Sequence, residues 1–231
     1  MHSLKQSILH AIESNDLESV VTLVKEDRRS LSVLVRISYD KETLAAWRAI
    51  RAVGLAAKAL VKTDHEFLRE TVRKLLWSLS DESGGIGWSA PELLGEIVSA
   101  DPEEFDDIIP LIAQVFDVEE EVFRPCVVYA LTRIAEAAPK KVAVYQKIAI
   151  MSLTDKNPLT KIYGLELAER LWQTATKENL WSPEYCQRIM TIINGLNLDH
   201  EVAWIYENDG FICVEVGEKS KITGENINKI L

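Results

Sequence analysis

The feature that most constrains this chain is a spacing. Four apolar stretches each end in an aspartate, at Asp40, Asp81, Asp117 and Asp155, in steps of 41, 36 and 38 residues. A small residue follows each at a nearly fixed distance: Gly54, Gly95, Ala130 and Ala168, at offsets of 14, 14, 13 and 13. Two markers that hold phase through four copies define an internal repeat, and a period near 40 is that of stacked two-helix units. Inside each copy the apolar positions recur with helical spacing. Leu68, Val72, Leu75, Leu76 and Leu79 mark one helix, and Val122, Cys126, Val127, Ala130, Leu131 and Ile134 another. This is the i, i+3, i+4, i+7 pattern of a helix that buries one face. Each copy is therefore expected to be a helix, a turn holding the aspartate, and a second helix whose small residue lets a neighbour approach closely.

In the third copy Pro110 interrupts the first helix. Either the helix begins late, behind Asp106 or Asp107, or it kinks there. The stretch Leu111 to Glu136 resembles the HEAT-repeat pattern: an apolar helix end, Asp117, an acidic turn, Val122-Phe123-Arg124, then a small-apolar run to Ile134. The first copy resembles it through Asp40, Trp47-Arg48 and the run Ala49 to Leu60. The resemblance covers residues 30–196 and implies an all-α fold, an α-α superhelix of HEAT-like solenoid type. In that family aspartates and arginines of successive repeats form a polar ladder between turns. Asp40, Arg48, Asp117 and Arg124 match it, whereas Ser89 and Ile162 stand where arginine is expected, which breaks the ladder in the second and fourth copies.

The ends depart from the repeat, as the ends of a stack should. Residues 3–13 and 17–25 read as two short helices around a Ser14-Asn15-Asp16 turn, so residues 1–29 are expected to cap a repeat domain of residues 1–196. Tyr185 to Ile193 is a last helix behind Pro183. Residues 197–231 then change period. Val202 to Tyr206 and Phe211 to Val216 flank Glu207-Asn208-Asp209-Gly210, the signature of a small C-terminal β-hairpin, followed by a polar tail from Lys219. The hairpin either covers the last apolar face or offers an edge to a partner strand.

One turn breaks the repeat's own rule. Asp81-Glu82-Ser83-Gly84-Gly85-Ile86-Gly87-Trp88 places three glycines in four positions, and Ser89 and Pro91 look like the cap and first turn of the helix that follows. The stretch is either a long turn with Trp88 as a core anchor or a binding loop. As a binding loop, its candidate partner-contacting residues are Asp81, Glu82, Gly84, Gly85, Gly87 and Trp88, with Trp77 beside them. With two carboxylates and no lysine it is a poor phosphate cradle. The run from Ser80 to Trp88 also resembles a loop of uncharacterised bacterial HEAT-repeat proteins. Of the six tryptophans, most sit at core spacing.

Composition narrows the function classes. With 26 basic against 36 acidic residues the net charge is −10, a field that disfavours nucleic acid and anionic lipid. No apolar run is long enough for a membrane span, and the start lacks a secretory signal, so a cytoplasmic location is expected. Cys126, Cys186 and Cys213 read as small buried thiols, and neither cysteine nor histidine spacing supports a metal site or a cofactor. No catalytic constellation emerges. The reading is thus a non-enzymatic scaffold or adaptor that binds another protein through its curved surface and the glycine-rich loop 81–91. The alternative implied by architecture is a HEAT-like enzyme, similar to helical-repeat DNA glycosylases or bilin lyases.

Overall fold

The computed structural model describes residues 4–79, 89–118 and 121–230. The chain divides into two compact units, Met1–Phe105 and Asp106–Leu231.

The first unit opens with α1 (Leu4–Glu13) and α2 (Leu17–Glu26). Asp16 caps α2 by accepting from the Ser19 N–H at 3.1 Å, and Asn15 takes the left-handed conformation that the tight turn requires. Copy one is α3 (Arg29–Ile37), the turn with Asp40, and α4 (Leu44–Leu60). Copy two has α5 (His65–Leu79) and α6 (Ala90–Ala100). Ala46, Ala49, Ile50, Val53, Ala56 and Ala57 are wholly buried, because α4 packs against α2, α3 and α6. Trp47 anchors this core and donates its Nε1–H to the Lys41 carbonyl at 2.9 Å.

The second unit begins with a 3-10 turn at Asp106–Ile108, so α7 (Ile109–Val118) starts late, with Pro110 in its first turn where no N–H is needed. Asp117 sits in the last turn of α7 rather than in the following turn. Next come α8 (Arg124–Ala137), the short α9 (Pro139–Ala143), α10 (Gln146–Leu153) and α11 (Pro158–Lys177). Asn157 caps α11, and Pro158 fixes its first turn. Helix α12 (Pro183–Gly195) follows a Ser182 cap. A T-shaped chain of rings, Trp172 to Trp181 to Tyr185, fills the space beside α11, with centroids 6.1 and 5.1 Å apart.

The hairpin forms as the sequence predicts. Strand β1 (Val202–Glu207) pairs antiparallel with β2 (Gly210–Glu215), Trp204 opposite Cys213. Asn208 and Asp209 both have positive φ, the mirror-image turn that suits the strand twist. The polar tail is a correction: residues 216–230 form α13 (Val216–Ile230), packed on α11. Its buried positions are Val216, Gly217, Ser220, Thr223, Gly224 and Ile227. They recur with helical spacing, but only two are strongly apolar. The face is defined by small size rather than by hydropathy, which hides it from a periodicity reading. Lys219 pairs with Glu166 at 2.9 Å, and Glu169 accepts from Thr223 and Asn226. No described helix is long and apolar enough to cross a membrane.

Candidate functional site

Helix α5 ends at Leu79 and the chain re-enters the described structure at Ser89. The predicted loop residues Asp81, Glu82, Gly84, Gly85, Gly87 and Trp88 lie outside the described residues. Trp77, in the last turn of α5, is 72% exposed. Burying an indole elsewhere is worth kilocalories, so a tryptophan in this position is the kind of residue that anchors interfaces. On the return side Ser89 is wholly buried and begins α6, but its hydroxyl does not cap that helix. It donates instead to the carbonyl of Ser38, at the end of α3.

Just beyond lie two carboxylates that sequence reading passed over. Glu92 and Glu96 are each 2% exposed on the face of α6 turned to copy one. Lys41 Nζ meets Glu92 Oε1 at 2.7 Å, and Arg51 Nη1 meets Glu96 Oε1 at 3.0 Å. Glu92 Oε2 is buried without a hydrogen-bond partner. A Cβ added at Gly54 would fall onto the Glu96 carboxylate, so the glycine makes room for the acid. The signal was present: acids four apart within an otherwise apolar Ala90-to-Val98 run share one helical face.

The four ladder candidates behave differently. Arg124 Nη1 binds Asp155 Oδ2 at 2.9 Å, joining copies three and four, and its guanidinium lies over the Phe116 ring. Asp155 also accepts from the Asn157 N–H. Asp117 pairs instead with Lys147 at the surface, at 2.9 Å. Arg48 donates to the carbonyls of Ile12 and Glu13, the C-terminal end of α1, where a cation opposes the helix dipole. Asp40 supplies its backbone carbonyl to Thr43.

At the hairpin, Lys161 Nζ reaches Asp199 at 2.6 Å and also binds Glu201. Burial alone would lower the ammonium's pKa, but the two carboxylates outweigh it and the net shift is upward. Burial likewise works against the Asp199 carboxylate, yet Lys161 and the Glu201 N–H hold it below the usual range. The Asp199-His200-Glu201 triplet therefore fastens the hairpin to α11.

The thiols differ from the expectation of burial: Cys126 is buried, Cys186 half-buried and Cys213 exposed. None is in a disulfide. Among the described residues no cluster of three or more His, Cys, Asp or Glu side chains could hold a metal. A shallow groove between α1 and α2 is lined by His10, Ser14, Asp16 and Ser19, and another between α2 and α4 by Val21, Lys25, Leu55 and Lys58. Neither includes Trp77. Trp47, Trp172 and Trp181 are core residues, as their spacing predicts, whereas Trp204 joins Trp77 at the surface.

No family model matches the chain. An uncharacterized protein of Archaeoglobus fulgidus is 31% identical over 105 residues, 46% of this chain; the chain spans about half (54%) of that relative's length. An engineered protein of known structure superposes on 99% of this chain and all of its own, with a TM-score of 0.56 at 13% identity, a likeness of fold. The archaeal HEAT-like repeats protein of Thermococcus onnurineus NA1 covers 100% of this chain and 98% of its own, with a TM-score of 0.42 at 13% identity.

Proposed function

We propose that this chain is a non-enzymatic helical-repeat scaffold of the cytoplasm that binds another protein through the segment 81–91 and Trp77. The observation that carries the reading is the exposed indole of Trp77 at the point where α5 runs into the glycine-rich segment. A folded chain that leaves a tryptophan 72% exposed, next to the one turn that departs from the repeat, has a surface suited to a partner. The pinning of Ser89 to Ser38 supports it, since it gives the segment a fixed return point. The acidic balance favours protein over nucleic acid as the partner.

The test is a photo-crosslinking residue placed at position 77 in the cell of origin, with position 222 on α13 as control. A discrete adduct from position 77, absent from position 222 and lost when Trp88→Ala is added, is the expected result. The same adducts from both positions, or duplex DNA bound at about 50 mM salt, would overturn it.

A further inference from the structure

A groove in the first unit combines an aliphatic floor with unmatched cations. It runs between α2 and α4, the second helices of successive pairs, and Val21, Leu55 and Ala59 form its floor. Leu55 is 45% exposed, although Val53 and Leu60 on either side of it are buried. Lys25 lines the groove from α2 and Lys58 from α4. Leu55, Lys58 and Lys62 follow at steps of three and four, so one face of α4 carries the pattern to the helix end.

Other cations of this unit are held: Arg28 by Asp64, Lys41 by Glu92, Arg51 by Glu96 and Lys74 by Glu70. Among the described residues, Lys25, Lys58 and Lys62 have neither an ion pair nor a side-chain hydrogen bond. The carboxylates beside them in sequence do not offset them. Asp27 is held by Arg29 and Asp64 by Arg28. Glu26 does not line the groove, since it follows Lys25 and points about 100° away around α2. Glu18 does line it, but seven residues before Lys25, about 10 Å along the helix. The groove is therefore positive at its Lys25 end, in a chain whose net charge is −10. A second copy docked about a two-fold axis would set these lysines against themselves, at a cost. Nucleic acid would find no ring to stack on in the aliphatic floor.

We propose that the groove between α2 and α4 docks an acidic amphipathic helix of another protein. An aliphatic side chain of that helix lies on Leu55, and carboxylates three or four residues away meet Lys58 and Lys25. Its acidic turns sit at the Lys25 end, away from Glu18. The groove involves none of the residues assigned to the partner of Trp77.

The probe is a labelled, end-capped helical peptide, SEELLEALAQLLQA, titrated against the full purified chain by fluorescence anisotropy, with SQQLLQALAQLLQA as its neutral counterpart. The acidic peptide is expected to bind about tenfold more tightly than the neutral one, and more weakly as salt is raised. Lys58→Glu should weaken it about tenfold and Leu55→Ala several-fold, both with an unchanged thermal melt because the two side chains are exposed. Lys156→Glu makes the same charge change at an exposed lysine of the second unit and should leave the titration unchanged. So should Trp77→Ala, which separates this groove from the other surface. Equal binding of both peptides, binding of neither, the same loss from Lys156→Glu as from Lys58→Glu, displacement of the peptide by duplex DNA, or a dimer in sedimentation that Lys58→Glu abolishes would overturn the proposal.

Discussion

In the first unit α4 meets α6 around buried charge, while in the second α8 meets α11 through rings and methyl groups, with charge only at the edge. Both are contacts between second helices of successive copies, and both use the small residues that keep phase in the sequence. In the first, Gly54 clears space that the Glu96 carboxylate fills, and Lys41 and Arg51 close over Glu92 and Glu96. In the second, Ala130 and Ala168 are wholly buried, Tyr129 meets Tyr163 edge to face at 5.7 Å, an Arg124–Asp155 pair sits at the turn end, and Arg170 of α11 binds Glu136 of α8 at 2.9 Å where both are part-exposed. The repeat thus dictates how near two helices come but not what fills the gap. A buried carboxylate needs a cation and, here, the absence of a Cβ opposite it. An apolar filling needs neither.

The sharpest way to break this comparison is to remove a cation. Lys41→Met leaves Glu92 buried with its main partner gone, and stability to urea should fall by about 3 kcal/mol. In the second unit, Arg124→Met should cost less, about 2 kcal/mol, because Asp155 keeps the Asn157 N–H. Equal losses would mean that the two junctions are not built differently. Next, Gly54→Ala should destabilise by about 2 kcal/mol by overpacking Glu96, whereas Ala130→Gly should lose about 1 kcal/mol through backbone entropy and a lost methyl group, both read by thermal melting. A neutral Gly54→Ala would remove the steric half of the argument.

A pH series sharpens the picture at the hairpin. The Asp199 carboxylate is depressed, so its contribution is whole above about pH 4, the ordinary carboxylate range, and is lost as pH falls through its folded value. Lys161 is raised, so its share is whole below about pH 10 and is lost as pH climbs through its folded value. Hydrogen exchange in β1 should accelerate at both extremes, and Lys161→Met should flatten the profile between them. The smallest effect is expected at Trp77→Ala, whose melt should stay within about 0.5 kcal/mol of the parent because the indole is 72% exposed.

Much of the architecture was legible in the sequence because it is written in periodicity. The repeat, the helix pair α1–α2 and the hairpin at Asn208-Asp209 follow from spacing or turn chemistry, and of the two readings open at Pro110 the late start of α7 is the one found. What escaped was decided by partners far along the chain. Ser89 reads as a cap and instead bonds to Ser38, 51 residues away. Glu92 and Glu96 passed unremarked: their spacing puts them on one face of α6, but the cations that let that face be buried, Lys41 and Arg51, lie 51 and 45 residues away. Helix α13 reads as a tail since Ser220, Thr223 and Gly224 fit by being small. Of the candidate site, the sequence marked Trp77 by its place beside an anomalous turn, but its exposure depends on which face of α5 the core takes. Trp204 was missed for the same reason, as alternation alone does not say which side of a hairpin meets a helix.

The docking of α13 on α11 also sets an order on biosynthesis. Glu169 waits for Thr223, 54 residues downstream, which at ordinary translation rates is about 3–10 s. During that interval the face of α11 that carries Glu166 and Glu169 lacks the cover that α13 gives it. A nascent chain in that state presents the sort of uncovered helix face that chaperones engage, and the docking of α13 ends the exposure.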